Sequence, residues 1–350
     1  MVTDPGIIQA GLAGSLLDSM RGAGIAGAVF DDVNPDPELG KVEACASALK
    51  NGGYDLVVGF GGGSPLDVAK YSSALTAHSG SVRDYLGREL LQQKGLPTIL
   101  IPTTAGTGSE VTWAAVFHDE ADHVKKAVWS PYVQADTVIV DPGLTLSMPL
   151  SLTIDTGMDA LFHAMEAYVA RDASPLTDGL AIEAIRLINK GFRAVVKDGR
   201  DLEARSDMAF AATLAGLAFS NAGLGALHAL ALLLDGEFGF THGRSLAVLA
   251  PHVLEFNLSG NPGKYAQMAA ALGESTEGMR ELEAARKVVE AISRLASDQG
   301  VSLRLRDYGI PSDRLDEMGK RAFEIGQRHL PMNPRPLSRE DAVRIYQEAY

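Results

Sequence analysis

The stretch YDLVVGFGGGSPLDVAK, residues 54–70, passes from an apolar segment through three glycines into a helical pattern. Ser64 is a good N-cap and Pro65 suits the first helical position, so we expect a tight turn between a strand and a helix. Outward-facing amides and the positive end of the helix dipole can hold an anion there, and glycine lets a pyrophosphate approach the backbone. The residues of this predicted anion site are Gly61, Gly62, Gly63, Ser64 and, in the helix that follows, Asp67.

A second loop strengthens this interpretation. A structural turn alone explains the glycines equally well, since the third glycine of the usual G-x-G-x-x-G fingerprint is missing. The second loop, IPTTAGTGSEVT at residues 101–112, follows another apolar run and groups the hydroxyls of Thr103, Thr104 and Thr107. Ligands gather at the carboxyl ends of parallel strands, so two such loops together favour a nucleotide site.

Strand-like and helix-like segments alternate over roughly the first 150 residues, which predicts a parallel sheet with helices on both faces. The predicted strands are residues 25–30, 54–60, 97–102 and 137–140, and the predicted helices are residues 6–22, 36–51 and 65–77. After Pro149 the apolar residues recur three and four apart, as in helices. These later helices are predicted at residues 156–170, 208–219, 224–234 and 280–296. We therefore predict an α/β dinucleotide-binding domain, residues 1–148, and an all-α domain, residues 149–350, with a ligand cleft between them.

The composition excludes several other classes of protein. Of 350 residues, 31 are basic and 44 acidic, and a net charge of −13 without a basic cluster argues against nucleic acid or an anionic membrane as partner. The single cysteine, Cys45, cannot form an internal disulfide and fits a reducing cytoplasm. No apolar run approaches the ~18 residues that span a bilayer, and we expect no targeting leader.

Asp31 ends a predicted strand, in AVFDDV at residues 28–33, where a carboxylate can bind the hydroxyl pair of a ribose. The same charge repels a 2′-phosphate, which predicts NAD in preference to NADP. A solvated acidic turn is an equal alternative, and Asp32 competes for the role.

Four polar residues within apolar helical segments indicate a metal site. Asp159 and His163 lie four apart and share one helical face. His228 stands in the apolar segment LGALHALALLL, and His242 follows a short connection. Each histidine alone is more typical of a hydrogen-bonded core residue, but a buried aspartate without a partner is costly. One carboxylate and three imidazoles around a divalent cation remove that cost, and such a set suits Fe(II) or Zn(II).

A cation in that place would lower the pKa of a bound alcohol, so that hydride can leave toward a nicotinamide ring. The other histidines lack this context and are predicted to be surface or structural residues: His78, His118, His123 and His252.

Seven motifs in a fixed order carry a family resemblance. They are GGGSPLDVAK at 61–70, PTTAGTGSEVT at 102–112, TGMDALFHAMEAY at 156–168, NAGLGALHAL at 221–230, THG at 241–243, PHVLEFN at 251–257 and NPRP at 333–336. In this combination the chain resembles the iron-containing (group III) alcohol dehydrogenase family over almost its whole length. The resemblance implies a dehydroquinate synthase-like architecture, NAD(P)-linked hydride transfer between small alcohols and aldehydes, and a homodimer or higher homo-oligomer.

The resemblance also implies roles for particular positions. The family's metal ligands fall on Asp159, His163, His228 and His242; its cofactor loops fall on Gly61, Gly62, Gly63, Ser64, Thr103, Thr104 and Thr107; its ribose-binding acid falls on Asp31. A lysine that contacts the cofactor ribose in relatives matches Lys126, with Lys125 adjacent as a competitor.

The chain departs from the family pattern in two places. Many relatives carry a histidine one turn after the third metal ligand, where this chain has Leu232. We hypothesise that His329 or a water chain passes protons instead, and a more apolar substrate pocket is the alternative. Relatives also extend further before the segment that matches residues 2–6, so either the start is wrongly assigned or part of the chain is absent here. If nothing precedes Met1, we expect weak stability and weak cofactor binding.

Other activities on the same architecture compete with the alcohol dehydrogenase interpretation. They are those of a dehydroquinate-synthase-like lyase, a glycerol dehydrogenase and a maleylacetate reductase, while a catalytically impaired cofactor-binding protein is an alternative of another class. The stretch at residues 156–168 favours the alcohol dehydrogenase branch.

Overall fold

The computed structural model describes residues 1–121 and 124–350 and divides the chain into two units, Met1–Met148 and Pro149–Tyr350. The prediction for His123 therefore lies outside the described residues.

The described part of the first unit contains two small sheets. Their strands are β1 (Val57–Gly61), β2 (Gly87–Arg88), β3 (Thr98–Pro102), β4 (Ala114–Asp119), β5 (Val124–Trp129) and β6 (Thr137–Val138). One sheet is parallel, with the order β1-β3-β6. β1 and β3 pair from Val57 opposite Thr98 to Gly61 opposite Pro102, so both strands end at the same edge. The glycine loop and the threonine loop consequently begin side by side.

The predicted strand at residues 25–30 is wrong except for its last residue. Val2 pairs in parallel with both Phe30 and Gly59, which extends the sheet by single bridges. Ile25 and Val29 are exposed, and the glycine and alanines around them have low β propensity. The sequence also did not predict the second sheet, of order β2-β5-β4, in which β4 and β5 form an antiparallel hairpin.

The helices of the first unit are α1 (Pro5–Gln9), α2 (Leu12–Gly22), α3 (Leu39–Gly52) and α4 (Gly63–Leu75). α4 is buried from Pro65 to Leu75, apart from Asp67, because it contacts both sheets. Toward the parallel sheet, Gly59 leaves room for Leu66, whose side chain would lie 3.2 Å from a Cβ there. Toward the hairpin, the rings of Tyr71 and Phe117 stack with centroids 5.4 Å apart. α4 is thus the centre of this unit's core.

The second unit is helical throughout. Its helices are α5 (Leu150–Val169), α6 (Pro175–Lys197), α7 (Leu202–Ala222), α8 (Ala226–Phe238), α9 (His242–Asn257), α10 (Pro262–Ala271), α11 (Glu281–Asp298), α12 (Leu315–Ile325) and α13 (Arg339–Glu348). A parallel sheet followed by a helical region confirms the predicted fold class.

Two glycines bring the neighbours of α5 close to it. A Cβ on Gly157 of α5 would lie 2.4 Å from Cε2 of Phe192, so only glycine lets α5 approach α6 this closely. A Cβ on Gly243 of α9 would lie 2.0 Å from the carbonyl oxygen of Asp155. The first turn of α9 therefore lies against the backbone of α5, one turn before Asp159.

None of the described helices is by itself long and apolar enough to cross a membrane. Only taken together do α7 and α8, which are bent by 108° at their junction, have the length and apolar composition of such a span.

Candidate functional site

Three helices of the second unit bring four predicted residues together. Asp159 and His163 lie in the middle of α5, His228 is the third residue of α8, and His242 is the first residue of α9. The Nε2 atoms of the three histidines lie 3.5, 3.6 and 3.7 Å from Oδ1 of Asp159, in chain order. Ligand atoms of Asp159, His163 and His228 all lie within 4.8 Å of one another.

This geometry fits a divalent metal ion. Ligand atoms about 2.1 Å from a tetrahedral ion lie about 3.4 Å from one another, close to the spacing between each nitrogen and Asp159 Oδ1. Within the described chain, Oδ1 of Asp159 and Nε2 of His228 are buried without a hydrogen-bond partner. Unpaired buried polar atoms are costly, and a cation bound between them removes the cost.

Two further carboxylates, which the sequence analysis missed, hold two of these histidines. Nδ1 of His228 donates to Oε2 of Glu166 at 2.6 Å, and Nδ1 of His242 donates to Oδ2 of Asp235 at 2.7 Å. Both carboxylates are almost fully buried. Each hydrogen bond leaves Nε2 of its histidine directed at the cluster, as the nitrogen that can bind a metal. The sequence spacing could have revealed both carboxylates. Glu166 follows Asp159 by seven residues on α5, and Asp235 follows His228 by seven residues on α8. Seven residues are two helical turns, so each pair lies on one face of its helix.

The extra carboxylates change the charge expected at the site. The sequence predicted one carboxylate at the site, but three carboxylates outnumber the two charges of a divalent cation. Burial alone would raise the pKa of Asp159, but His163, His228 and His242 hold that pKa well below its ordinary value. Burial lowers the pKa of His228, but Asp159 and Glu166 outweigh burial and raise it to about 9. Without a cation the protein therefore holds a proton on His228 at neutral pH.

Apolar groups border the cluster. The ring of Phe219 on α7 stacks on His163, with centroids 4.3 Å apart. Leu232 lies one turn after His228 on α8 and is half-buried. His242 is the most accessible ligand candidate, because its side chain is 34% exposed whereas those of Asp159 and His228 are nearly buried.

His329, the predicted proton relay, is buried, and its Nε2 accepts a hydrogen bond from Nε of Arg328 at 2.9 Å. Its remaining proton is therefore on Nδ1. Burial, and after it the charge of Arg328, holds the pKa of His329 well below its ordinary value. The imidazole is consequently neutral near pH 7.

In the first unit, the glycine loop connects β1 directly to α4. α4 begins at Gly63 with Gly62 as its N-cap, so the prediction of Ser64 as N-cap is wrong by two residues. A Cβ on Gly63 would lie 2.8 Å from Cγ2 of Thr107, and one on Gly62 would lie 3.3 Å from Cγ2 of Thr104. The close approach of the threonine loop therefore requires glycine at position 63 and leaves little room for a side chain at position 62.

An unpredicted acid lies against the same turn. Gly61 has φ +150°, and a Cβ there would lie 3.2 Å from Oδ2 of Asp4. The other oxygen of Asp4 accepts from the backbone N–H of Ile7 at 3.0 Å. Asp31, the predicted ribose ligand, is exposed, and its competitor Asp32 pairs with Lys41 at 2.5 Å.

A buried lysine anchors the threonine loop to α4. Nζ of Lys70 donates to the carbonyl oxygen of Ser109 at 2.8 Å and to Oγ1 of Thr112 at 3.1 Å, and it pairs with Asp67 at 2.9 Å. Asp67 also accepts from the backbone N–H of Val116 at 2.8 Å. Both oxygens of Asp67, which was predicted as a cofactor contact, are therefore used in contacts within the protein, to Lys70 and to Val116. Lys70 was visible in the sequence motif, but nothing there indicated that it is buried.

Two further cofactor candidates are the hydroxyl of Thr103 and the amine of Lys126. Thr103 Oγ1 is buried with no hydrogen-bond partner among the described residues. Lys126 on β5 pairs with the buried Asp119 at 2.8 Å, and Lys125 pairs with Asp36 at 2.7 Å.

Comparison with known proteins places this fold and site in a family. Residues 1–142 match the family described as iron-containing alcohol dehydrogenase, and residues 153–350 match the C-terminal region of the Fe-containing alcohol dehydrogenase family. Long-chain-alcohol dehydrogenase 1 of Geobacillus thermodenitrificans (strain NG80-2) is 44% identical over 353 residues, which cover 100% of this chain and 89% of that protein.

Solved structures of alcohol dehydrogenase-type enzymes have the same fold as this chain. A crystal structure of 1,3-propanediol oxidoreductase superposes with a TM-score of 0.96 at 40% identity, covering 100% of this chain and 91% of the other. Sulfoacetaldehyde reductase from Bifidobacterium kashiwanohense, solved in complex with NAD+, has a TM-score of 0.89 at 30% identity, covering 99% of this chain and 89% of the other.

The fold and the Asp–His cluster define a two-domain, dehydrogenase-like protein. The chain belongs to the iron-containing alcohol dehydrogenase family. It is an oxidoreductase that acts as an alcohol dehydrogenase or aldehyde reductase.

Proposed function

We propose that this enzyme binds Fe(II) or Zn(II) through Asp159, His163, His228 and His242 and transfers hydride between an alcohol and NAD. The observation that carries the proposal is the placement of three Nε2 atoms 3.5–3.7 Å from one buried carboxylate oxygen. A bound divalent cation supplies a Lewis acid that favours the ionised form of an alcohol.

The residues around the cluster orient the substrate and limit its access to water. Phe219 covers the His163 side, and the more exposed His242 side is the proposed entrance. Leu232 offers neither a proton nor a hydrogen bond, so it favours an apolar substituent on the alcohol.

The two loops at the sheet edge are proposed to hold the cofactor. The N-terminus of α4 favours the pyrophosphate, and the buried hydroxyl of Thr103 offers an unused hydrogen bond. For the ribose, the contact between Asp4 and the glycine turn favours Asp4 over the predicted Asp31. Lys126 stays in the proposal as a cofactor contact whose amine Asp119 holds in place. The NAD+ complex of the related sulfoacetaldehyde reductase supports this choice of cofactor.

His329 is proposed to donate a hydrogen bond from Nδ1 toward the substrate or a water chain, and it can take up a proton only when Nε2 is released from Arg328. We expect His329→Ala to lower the rate and alter the pH–rate profile. Unchanged rates and profiles would remove His329 from the mechanism and favour a water chain.

We also propose a cytoplasmic homo-oligomer. The single cysteine, buried on α3, fits a reducing compartment. Exposed Leu176 and Phe210, on α6 and α7, offer apolar contact area for a second copy. Light scattering on the purified protein measures the number of copies.

The deciding experiment combines elemental analysis of protein purified without chelator with an NADH assay on a panel of small alcohols and aldehydes. We expect about one iron or zinc per chain, and NADH formation that depends on it. His228→Ala should lose both the metal and the activity. His252→Ala, which changes a histidine ten residues further along α9 than His242, should keep both. Wild-type protein that turns over alcohols at full rate without bound metal would overturn the proposal.

A further inference from the structure

Glu166 is a buried carboxylate at the junction of α5 and α8. It is only 6% exposed and lies on the face of α5 that carries Asp159, two turns further along. Its two oxygens accept hydrogen bonds from three groups of α8, namely the backbone N–H of Leu227 at 2.7 Å, the backbone N–H of His228 at 3.3 Å and Nδ1 of His228 at 2.6 Å.

The first contribution of Glu166 is to the start of α8. The first N–H groups of a helix have no partner within it, and α8 has no capping side chain of its own, since Gly225 is its N-cap. Glu166 accepts from two of these groups, and Oδ1 of Asn333 accepts from a third, that of Ala226, at 3.0 Å. A Cβ on Gly225 would lie 3.0 Å from Glu166 and 2.7 Å from Asn333, so glycine admits both acceptors.

The second contribution concerns the imidazole of His228. An ionised carboxylate only accepts hydrogen bonds, so the proton between the two side chains belongs to Nδ1 of His228. Nε2, the nitrogen left for a metal, then points toward Oδ1 of Asp159, 3.6 Å away. The same carboxylate thus fixes the helix on which His228 stands, the rotation of its ring and the nitrogen that can bind a metal.

We propose that Glu166 is a positioning residue that selects the metal-binding tautomer of His228 and locks it onto the start of α8. This inference rests on the proposed metal site and deepens it. Asn333 contributes to the same helix start without touching the imidazole, which makes it a matched control for the helix-capping role alone.

The test is cobalt binding to metal-free protein, followed by chelator competition and by visible absorption of the bound Co(II). Glu166→Gln has nearly the same shape, but its amide NH₂ cannot accept from Nδ1. With the amide oxygen kept on the N–H of Leu227, the NH₂ faces Nδ1, so His228 must shift its proton to Nε2 or turn away and a nitrogen ligand is lost. A flipped amide instead turns its NH₂ against the N–H of Leu227 and displaces the start of α8, which carries His228. We expect the Kd for Co(II) to rise about 10–100-fold and the absorption of the four-ligand site to be lost.

Asn333→Ala should lower the melting temperature while leaving the Co(II) Kd and spectrum as in wild type. If Glu166→Gln does not fold, Glu166→Asp serves instead, because its carboxylate is one methylene short of His228 and should also raise the Kd. A Glu166 variant that binds Co(II) with the same Kd and the same spectrum as the wild-type protein would overturn the inference. So would an Asn333→Ala variant that loses as much Co(II) affinity as the Glu166 variant does. Failure of the wild-type protein to bind Co(II) would instead overturn the proposed metal site.

Discussion

At the scale of single residues, one oxygen atom organises the polar centre of the helical unit. Oδ1 of Asp159 faces three imidazole nitrogens, and Glu166 and Asp235 hold two of those imidazoles from behind. Six ionisable side chains can lie together here, all but His242 buried, because carboxylates face imidazoles and because the proposed cation would complete the set.

Metal affinity should depend on pH through His228. Asp159 and Glu166, acting against burial, raise its pKa to about 9, so the metal-free enzyme carries a proton there below that pH. A metal must displace this proton, so its affinity should fall about tenfold per pH unit as the pH drops from about 9 toward 7. The measurement is the release of protons into a weakly buffered indicator solution on adding Zn(II). Zinc binding without proton release between pH 7 and 8.5 would contradict the assignment.

The choice between NAD and NADP should depend on Asp4. Asp4→Asn keeps an oxygen for the N–H of Ile7 but removes the charge next to the glycine turn. We expect the ratio of kcat/KM for NADP to that for NAD to rise about tenfold, which corresponds to about 1.4 kcal/mol. Asp31→Asn is the matched comparison, and a larger rise in that variant would return the ribose contact to Asp31.

At the scale of secondary-structure elements, the proposed cofactor site depends on the parallel register of β1 and β3. Gly61, the last residue of β1, lies opposite Pro102, the last residue of β3. The two loops that follow these strands are therefore in contact at once, with Gly62 next to Thr104. The buried Lys70 on α4 then holds the far side of the threonine loop.

Gly63→Ala tests this contact between loops. Its new Cβ would lie 2.8 Å from Thr107, whose displacement should cost about 1–3 kcal/mol of unfolding free energy and weaken NAD binding. Gly14→Ala in α2 is the control, since no atom lies within 4 Å of a Cβ there, and it should be neutral or stabilise by up to about 1 kcal/mol. Urea unfolding and NAD titration measure both effects. Normal NAD affinity in Gly63→Ala would show that the threonine loop does not contact the cofactor.

At the scale of the whole molecule, the two proposed ligands belong to different units. All four metal candidates lie within Pro149–Tyr350, whereas the glycine and threonine loops lie within Met1–Met148. Each ligand should therefore stabilise the unit that binds it.

Removal of the metal should lower the melting temperature. A ligand present at 100 times its Kd stabilises the native state by about 2.7 kcal/mol, and a chelator abolishes that contribution. Calorimetry before and after chelation, with the metal content assayed, measures the change. His228→Ala should not respond to chelator. A wild-type melting temperature that survives verified metal removal would contradict a bound structural and catalytic cation.

Several features could be read from the sequence because they are local. The i, i+4 spacing of Asp159 and His163 places both on one face of any helix that contains them. Three glycines after an apolar run predict a turn, and the structure has one, although α4 begins two residues earlier than expected, at Gly63. The hairpin of β4 and β5 is local too, but it was missed because residues 120–123 between its strands include no glycine or asparagine to signal a turn.

The sequence by itself determined the helical faces, the glycine turn and the residue types able to bind a metal, since these follow from backbone geometry over a few residues. Only the tertiary structure decided that His228 and His242 meet Asp159, that Glu166 and Asp235 stand behind them, and that Lys70 is buried. Those contacts join residues tens of positions apart, and the packing of whole helices, made possible at Gly157 and Gly243, selects them.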